Sequence, residues 1–403
     1  MDRSTPCQVS VIIPCYNQAP YLARSIESVR AQSLNSWEII VIDDGSTDDS
    51  ALIATSFGET LRYIYQVNAG PSAARNAGIR HARAPWIAFL DSDDWWHPAF
   101  LSTLLRSLDH CTRPALAYCR QVAVAHDESR LLPAVYNRRI KGDPLLALIG
   151  DQYLTADAVM VSRSLLLDVG GFDEQLHGHE EWDLWLRLAE KKIPFIHVPE
   201  VLAFYRQHPS GIHLSTQRMD TSRLAVLRKW AAYGNRSFRR THRAAWAKAS
   251  MISAVNTVVR GDLDGGIKDI QEVFRTMPES SLLDPFIYMP LLTGVGSVGK
   301  PASCSVAISH ILGNSYGDTP APGHPAIGTL GAVLSVASSL ACLHQRRAGR
   351  ALRSFARAFS YDPLFLARPF FPRWLWRALR EKLRTLGLLM MQRLPEVRSG
   401  KWR

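Results

Sequence analysis

The chain has 403 residues, of which 47% are hydrophobic and 21% are charged. This composition excludes a wholly disordered protein, and the length predicts two or three domains. The net charge is +11, from 47 Lys and Arg residues against 36 Asp and Glu residues. The six cysteines form no CxxC pair, and no apolar leader precedes the first strand pattern at Val9. These features predict a cytoplasmic protein.

The first 90 residues alternate short apolar runs with helical patterns. Apolar runs at 8–14, 37–42 and 61–66 predict strands, and the patterns between them predict helices. Alanines around Gly78 predict a helix that packs closely on its neighbours. This alternation predicts a mostly parallel sheet with helices on both faces, in which ligands bind beyond the carboxyl ends of the strands.

Two of the predicted strands end in carboxylates. One is followed by Asp43 and Asp44, and another by Asp91, Asp93 and Asp94. Like charges at the end of an apolar strand repel one another, and a divalent cation with oxygen ligands offsets that repulsion. Because both ends lie at one edge of the sheet, we predict a metal and polar-ligand site there. We expect Asp94 to cap the next helix along the chain.

Glycine-rich phosphate-binding loops are absent from the sequence. No GxGxxG follows the first strand, and no GxxxxGK[ST] occurs. Since both motifs place backbone N–H groups against phosphate, their absence argues against a dinucleotide oxidoreductase and a P-loop phosphotransferase. A diphosphate bound at this edge would instead need a metal.

A later helical pattern carries several carboxylates. Asp183, Arg187 and Glu190 share one face as a self-pairing polar set, whereas Glu181 lies in line with Trp185. A carboxylate against apolar side chains has a raised pKa, which suits a general base near neutral pH. The alternative is that these acidic residues only favour the helix N-terminus through its dipole. Asp183 is the second choice as base.

Four ordered motifs resemble those of family 2 glycosyltransferases with the GT-A fold. They are VSVIIPCYN at 9–17, VIDDGSTD at 41–48, NAGPSAARNAG at 68–78 and FLDSDD at 89–94. The resemblance runs from about Val9 to His213. It implies an α/β, Rossmann-like GT-A domain and a metal-dependent, inverting glycosyltransferase that uses Mg or Mn.

The resemblance also implies roles for individual residues. Those implied to bind the nucleotide sugar are Pro14, Tyr16, Asp44, Arg75, Asp91, Arg206 and His208. In the DxD motif, Asp93 would ligate the metal, and Asp91 would share it while facing the ribose or sugar. Glu181 falls where the family usually has the Asp that acts as catalytic base, so the chain departs from the family by one methylene.

The last two implied binding residues follow the final family-like strand. By resemblance, a basic or imidazole group such as Arg206 or His208 approaches the diphosphate, although a lone histidine after a strand also commonly makes only a loop hydrogen bond. The QxxRW motif of processive synthases does not occur. We therefore expect the transfer of one sugar per encounter.

The second half of the chain changes to long helical patterns. We predict a GT-A domain over 1–215, a helical, TPR-like region over 216–366 and a basic amphipathic tail over 367–403. The TPR-like stretches are 265–278 and 350–363, and the alternative is a helical appendage packed on the catalytic domain. The tail has ten Lys and Arg residues against two Glu, interleaved with Trp and Leu. This pattern is typical of a helix on an anionic membrane surface.

These observations predict transfer of one sugar from a UDP- or dTDP-linked donor to a saccharide acceptor, lipid-linked in our interpretation. The product would enter a cell-surface polysaccharide or glycolipid, and the protein would lie at the inner face of the plasma membrane. No basic module besides the tail points to nucleic acid. The alternative is a catalytically impaired nucleotide-sugar-binding or scaffold protein, which the departure at Glu181 leaves open.

Overall fold

The computed structural model describes residues 6–150, 154–207 and 216–260, and isolated positions between 262 and 273. The chain divides into two units, residues 1–245 and residues 246–403. His208 and the predicted basic tail lie outside the described residues, as do most of the TPR-like stretches. In the part that is described, no helix is both long and apolar enough to span a bilayer.

Nine strands form a single sheet within the described part of the chain. They are β1 Val9–Cys15, β2 Trp37–Asp43, β3 Arg62–Tyr65, β4 Trp86–Phe89, β5 Trp95–Trp96, β6 Leu116–Ala125, β7 Leu131–Tyr136, β8 Val159–Ser162 and β9 Phe195–Gln207. Their order is β3-β2-β1-β4-β8-β6-β9-β5, with β7 beside β6. The first four strands are parallel, as predicted. The other half of the sheet is mixed, because β8 runs antiparallel to both β4 and β6.

Helices cover both faces of the sheet. They are α1 Ala19–Arg30, α2 Ser50–Ser56, α3 Pro71–His81, α4 Phe100–Leu108, α5 Pro144–Gly150, α6 Arg163–Asp168, α7 Glu180–Glu190, α8 Thr216–Lys229 and α9 Arg236–Val259. In α1, apolar residues at helical spacing, such as Leu22 and Ile26, share a core with Val11 and Ile13 of β1 and with α4. Because side chains alternate along a strand, Ile12 lies on the opposite face, where α3 packs.

The contact between α3 and β1 depends on a glycine. A Cβ atom added at Gly78 would lie 2.3 Å from Cγ2 of Ile12. This agrees with the prediction that the small residues of this helix permit close packing. The C-terminal half of α3 is thereby held against β1.

The strand register brings the predicted site loops together. Cys15 pairs with Asp43, and Asp43 pairs with Tyr65, so β1, β2 and β3 end at the same level. The loops after β1 and β2 are joined by hydrogen bonds, including one from the Thr47 amide to Oδ1 of Asn17 at 2.8 Å. The loops after β1 and β2 therefore form one continuous surface.

We expect Gly78→Ala to lower the free energy of unfolding by about 1–3 kcal/mol, because the added methyl overpacks the contact with Ile12. Urea unfolding followed by circular dichroism measures the change. Gly150→Ala is the matched control, since its Cβ would meet Thr241 at an ordinary 3.5 Å. Equal destabilisation by the two substitutions would contradict the prediction.

Candidate active site

Arg75 of α3 joins two acidic parts of the site. Its Nη2 donates to Oδ1 of Asp91 at 2.7 Å, and its Nη1 donates to Oε1 of Glu180 at 3.0 Å. Burial by itself lowers the pKa of Arg75, but the charges of Asp91, Glu180 and Glu181 outweigh it and raise the pKa above its usual value. The buried guanidinium is therefore a permanent cation between the loop after β4 and the first turn of α7.

The three carboxylates of the acidic loop after β4 differ in their exposure to solvent. Asp91 has a side chain that is 34% exposed, and Asp93 is also partly exposed, whereas Asp94 is buried. The Asp94 amide donates to the Asp91 carbonyl at 3.1 Å and closes the turn. The DxD pair of the sequence prediction is thus the part of this loop that a ligand can reach.

The prediction that Asp94 caps the next helix is wrong. The short strand β5 comes next, and α4 begins only at Phe100. Asp94 lies instead in the interior beside Asp157, and burial, together with repulsion from Asp157, raises the pKa of Asp94 well above its usual value. Burial, together with repulsion from Asp91, raises the pKa of Asp157 to about 8. The fold therefore buries two carboxyl groups side by side beneath the acidic loop, and this raises the pKa of both.

The sequence analysis did not identify Asp157 as a residue of this site. It lies in the turn Ala156–Ala158 before β8, and its Oδ1 accepts the backbone N–H of Asp91 at 3.0 Å. Its backbone carbonyl accepts Nε1 of Trp96 at 2.6 Å. Asp157 is a single carboxylate within a mostly apolar run of the sequence. Since an ionisable group is rarely buried without a partner, this pattern could have indicated a role for Asp157.

Asp44 shapes the loop that leads into α3. Its carboxylate accepts hydrogen bonds from Nε2 of Gln66, the amide of Ala69 and the amide of Gly70, at 2.7, 3.0 and 2.8 Å. Gly70 has a φ of 91°, which favours glycine at this position. The implied contact of Asp44 with a base or ribose stays a prediction.

The remaining residues implied by the first motif lie at the same edge. Tyr16 is 49% exposed directly after β1, and Pro14 is buried within β1 opposite Ile42. An exposed aromatic ring at the carboxyl end of a parallel strand suits contact with a nucleotide base. The roles of both residues stay predictions.

Arg206 makes several contacts within the protein. The side chain is buried, and its Nε, Nη1 and Nη2 donate to the Asp93 carbonyl, the His126 carbonyl and Oε1 of Glu128 at 2.9, 2.7 and 2.7 Å. Its backbone N–H donates to Oδ1 of Asp94 at 2.8 Å. Arg206 therefore fastens the acidic loop, and its predicted approach to the diphosphate stays a prediction.

Glu181 is half-buried in the first turn of α7. Burial, together with the charge of Glu180, raises the pKa of Glu181 to about 7, although the charge of Arg75 lowers it. The direction agrees with the expectation from its apolar neighbours. A carboxylate of this kind gains and loses a proton near neutral pH, as a general base must.

Asp183 is unsuited to act as the base. It is 0% exposed, and its Oδ2 accepts from Nε of Arg187 at 2.8 Å and from Nζ of Lys229 at 3.0 Å. Its Oδ1 accepts Nε1 of Trp230 at 3.2 Å. The predicted pairing of Asp183 with Arg187 is confirmed, and the other two contacts attach α7 to the end of α8 and the turn after it.

The residues that could hold a metal are the partly exposed carboxylates of the acidic loop. Within residues 6–150, 154–207 and 216–260, no three His, Cys, Asp or Glu side chains are grouped as a metal site. Proteins usually hold Mg²⁺ with one or two carboxylates, completed by water and substrate phosphates. Asp91 and Asp93 fit that mode of binding.

Comparison with known proteins identifies the region that contains this site. Residues 10–165 match the family model described as "Glycosyl transferase family 2". This part of the chain is therefore similar to glycosyl transferase family 2. The matched residues include the acidic loop, Arg75 and Asp157, while α7 lies beyond them.

Relatives in sequence are also glycosyltransferases by name. An uncharacterized glycosyltransferase of Rickettsia prowazekii is 30% identical over 207 residues, which are 50% of this chain and 64% of that protein. Glycosyltransferase GlyA of Streptococcus pneumoniae is 39% identical over 104 residues, which are 25% of this chain and 15% of that protein. The chain thus spans less than two thirds of each of these relatives.

Solved structures share the fold at low sequence identity. S. aureus TarS 1–349 in complex with UDP-GlcNAc has a TM-score of 0.55 and 17% identity, covering 77% of this chain and 93% of that chain. TarS 1–349 without that ligand has a TM-score of 0.54 and 18% identity, at the same coverage. The fold is therefore GT-A-like, as predicted, with a mixed sheet and helices on both faces.

We expect Asp183→Asn to lower the free energy of unfolding by roughly 1–3 kcal/mol, because it removes the charge that Arg187 and Lys229 share. Chemical unfolding measures the change. Glu27→Gln removes an exposed carboxylate from α1 and serves as the control, with a change within about 0.5 kcal/mol. A fully stable Asp183→Asn protein would contradict the structural role.

Proposed function

We propose that this chain is an inverting glycosyltransferase that moves a single sugar from a nucleotide-sugar donor to a saccharide acceptor. The observation that carries the proposal is the pair of hydrogen bonds from Arg75 to Asp91 and Glu180. They hold the DxD loop and the turn that bears Glu181 against one cation. The match of residues 10–165 to the family 2 model supports transferase activity.

In this proposal the donor lies along the carboxyl edge of β1, β2 and β4. Tyr16 contacts the base, Asp44 accepts hydrogen bonds from base or ribose, and Asp91 faces the ribose or sugar. Because TarS was solved with UDP-GlcNAc, UDP-linked sugars are the first donors to test, and dTDP-linked sugars the next.

Charge on the diphosphate is the main electrostatic demand of the reaction. Asp93 and Asp91 would hold Mg or Mn, which when bound offsets the charge of the diphosphate. Arg75 contributes a fixed positive charge beside Asp91 that is already oriented before the donor binds. Preorganised charge of this kind stabilises a leaving group without reorganisation.

Glu181 is the base in the proposed step. It takes the proton of the acceptor hydroxyl while the acceptor oxygen bonds to the anomeric carbon. The bond from that carbon to the diphosphate oxygen breaks on the opposite side, and the nucleoside diphosphate leaves with the bonding electrons. The configuration inverts, and Glu181 afterwards returns its proton to solvent.

The acceptor and the cellular setting extend the proposal. A lipid-linked saccharide, assembled into a cell-surface polysaccharide or glycolipid, suits a cytoplasmic enzyme held at the inner face of the plasma membrane. The basic amphipathic sequence of residues 367–403 supports this setting.

We expect Asp93→Ala and Glu181→Gln each to lower donor hydrolysis by at least about 100-fold, because one loses a metal ligand and the other the base. The assay uses UDP-GlcNAc with Mg or Mn. Calorimetric binding of UDP separates the roles: Glu181→Gln should bind UDP normally, and Asp93→Ala should lose the metal-dependent part of the affinity. A wild-type protein that binds UDP but hydrolyses none of the common donors would instead support the impaired binding or scaffold protein.

We expect kcat/KM to rise with pH through about 7, because Glu181 has a pKa of about 7 and acts as a base only when ionised. Glu180→Gln removes a negative neighbour, so the midpoint of the profile should move to lower pH. Glu27→Gln is the control and should leave the midpoint in place. An unchanged midpoint in Glu180→Gln would argue that another group is the base.

A further inference from the structure

The segment between Asp220 and Asp262 contains nine Lys and Arg residues and no Asp or Glu. Four of them, at spacing i, i+3, i+4 and i+7, lie in the first two turns of α9: Arg236, Arg239, Arg240 and Arg243. With 3.6 residues per turn, these positions share one face of the helix. All four residues are exposed. We call them the arginine stripe.

The arginine stripe has no anionic partner among the described residues. None of its members forms an ion pair there, and the one side-chain hydrogen bond is from Nε of Arg239 to the Gly234 carbonyl at 3.1 Å. Like charges at i and i+4 destabilise a helix. An external anion would relieve that repulsion.

The opposite face of α9 is fixed against the protein. Phe238, His242 and Ala245 are buried, and Nε2 of His242 lies 2.7 Å from the Leu227 carbonyl. The ring of Phe238 packs 6.2 Å from that of Trp230, measured between centroids. The orientation of this part of α9 is therefore set by its contacts with α8 and with the turn after it.

The residues just before α9 contact α7, the helix that bears Glu181. Lys229 donates to Asp183 of α7 at 3.0 Å and to Asp173 at 2.7 Å, and Trp230 donates to Asp183 at 3.2 Å. A surface that binds the arginine stripe would consequently orient α7 and the site next to it.

We propose that the arginine stripe docks the protein on an anionic phospholipid surface. The four guanidinium groups extend over about 10 Å along the helix, a row that suits a planar array of phosphate groups. The exposed residues among them are small or polar and include no aromatic ring on which a nucleic-acid base could stack. Docking of this kind is separate from the predicted tail and does not require transferase activity.

The test is co-sedimentation of the full chain with phosphatidylcholine vesicles that contain phosphatidylglycerol, at about 0.15 M ionic strength. Replacing all four arginines of the stripe by Gln should weaken binding at least about tenfold, and replacing them by Lys should preserve it. The matched control removes the same charge elsewhere, by Gln at Arg80, Arg83, Arg106 and Arg113, which are exposed. It should bind within about twofold of the unaltered chain.

Three results would overturn the proposal. The stripe variant could bind as tightly as the unaltered chain, or the control could lose as much affinity as the stripe variant. The unaltered chain could also bind duplex DNA more tightly than the anionic vesicles. Because all eight side chains are exposed, the variants should share one urea midpoint, and the Lys variant separates a lost surface from a lost fold.

Discussion

The buried charge of Arg75 is the constraint on which the site depends. A guanidinium removed from water is stable only with anionic partners, and losing one partner leaves an uncompensated charge. Asp91 and Glu180 supply those partners from two different parts of the fold. Their positions are supported in turn, Asp91 by the carboxylate of Asp157 and the α7 helix by the contacts of Asp183. The charge pairing therefore determines how far the acidic loop lies from Glu181.

A second buried arginine supports the acidic loop from the other side. Arg206 donates to the Asp93 carbonyl and to Oδ1 of Asp94, and the Asp94 carboxyl group lies beside Asp157. Burial next to each other raises the pKa of both carboxyl groups, which favours their protonated forms. The partly exposed carboxylates of the DxD are thus carried on a loop that Arg206 and Asp157 support from beneath.

Helix α7 is also attached to the part of the chain that follows it. The match to the family 2 model ends before α7, yet α7 is held by Lys229 and Trp230, which precede the helix that carries the arginine stripe. The two proposals meet in this arrangement, since a transferase acting on a lipid-linked acceptor benefits when its base has a defined orientation to the membrane. Binding and chemistry nevertheless depend on different residues and can fail separately.

The sequence alone determined the features that arise from local pattern: the parallel strands, their acidic ends, the close packing at Gly78 and the raised pKa of Glu181. Each of these was predicted from residue types and spacing within a single strand, loop or helix. Only the tertiary structure decided the partner of Arg75, which lies 105 residues away, and the burial of Asp94 against the amide of Arg206, 112 residues away. Charged side chains can pair with any suitable group that the fold brings near, so spacing along the chain does not specify these contacts.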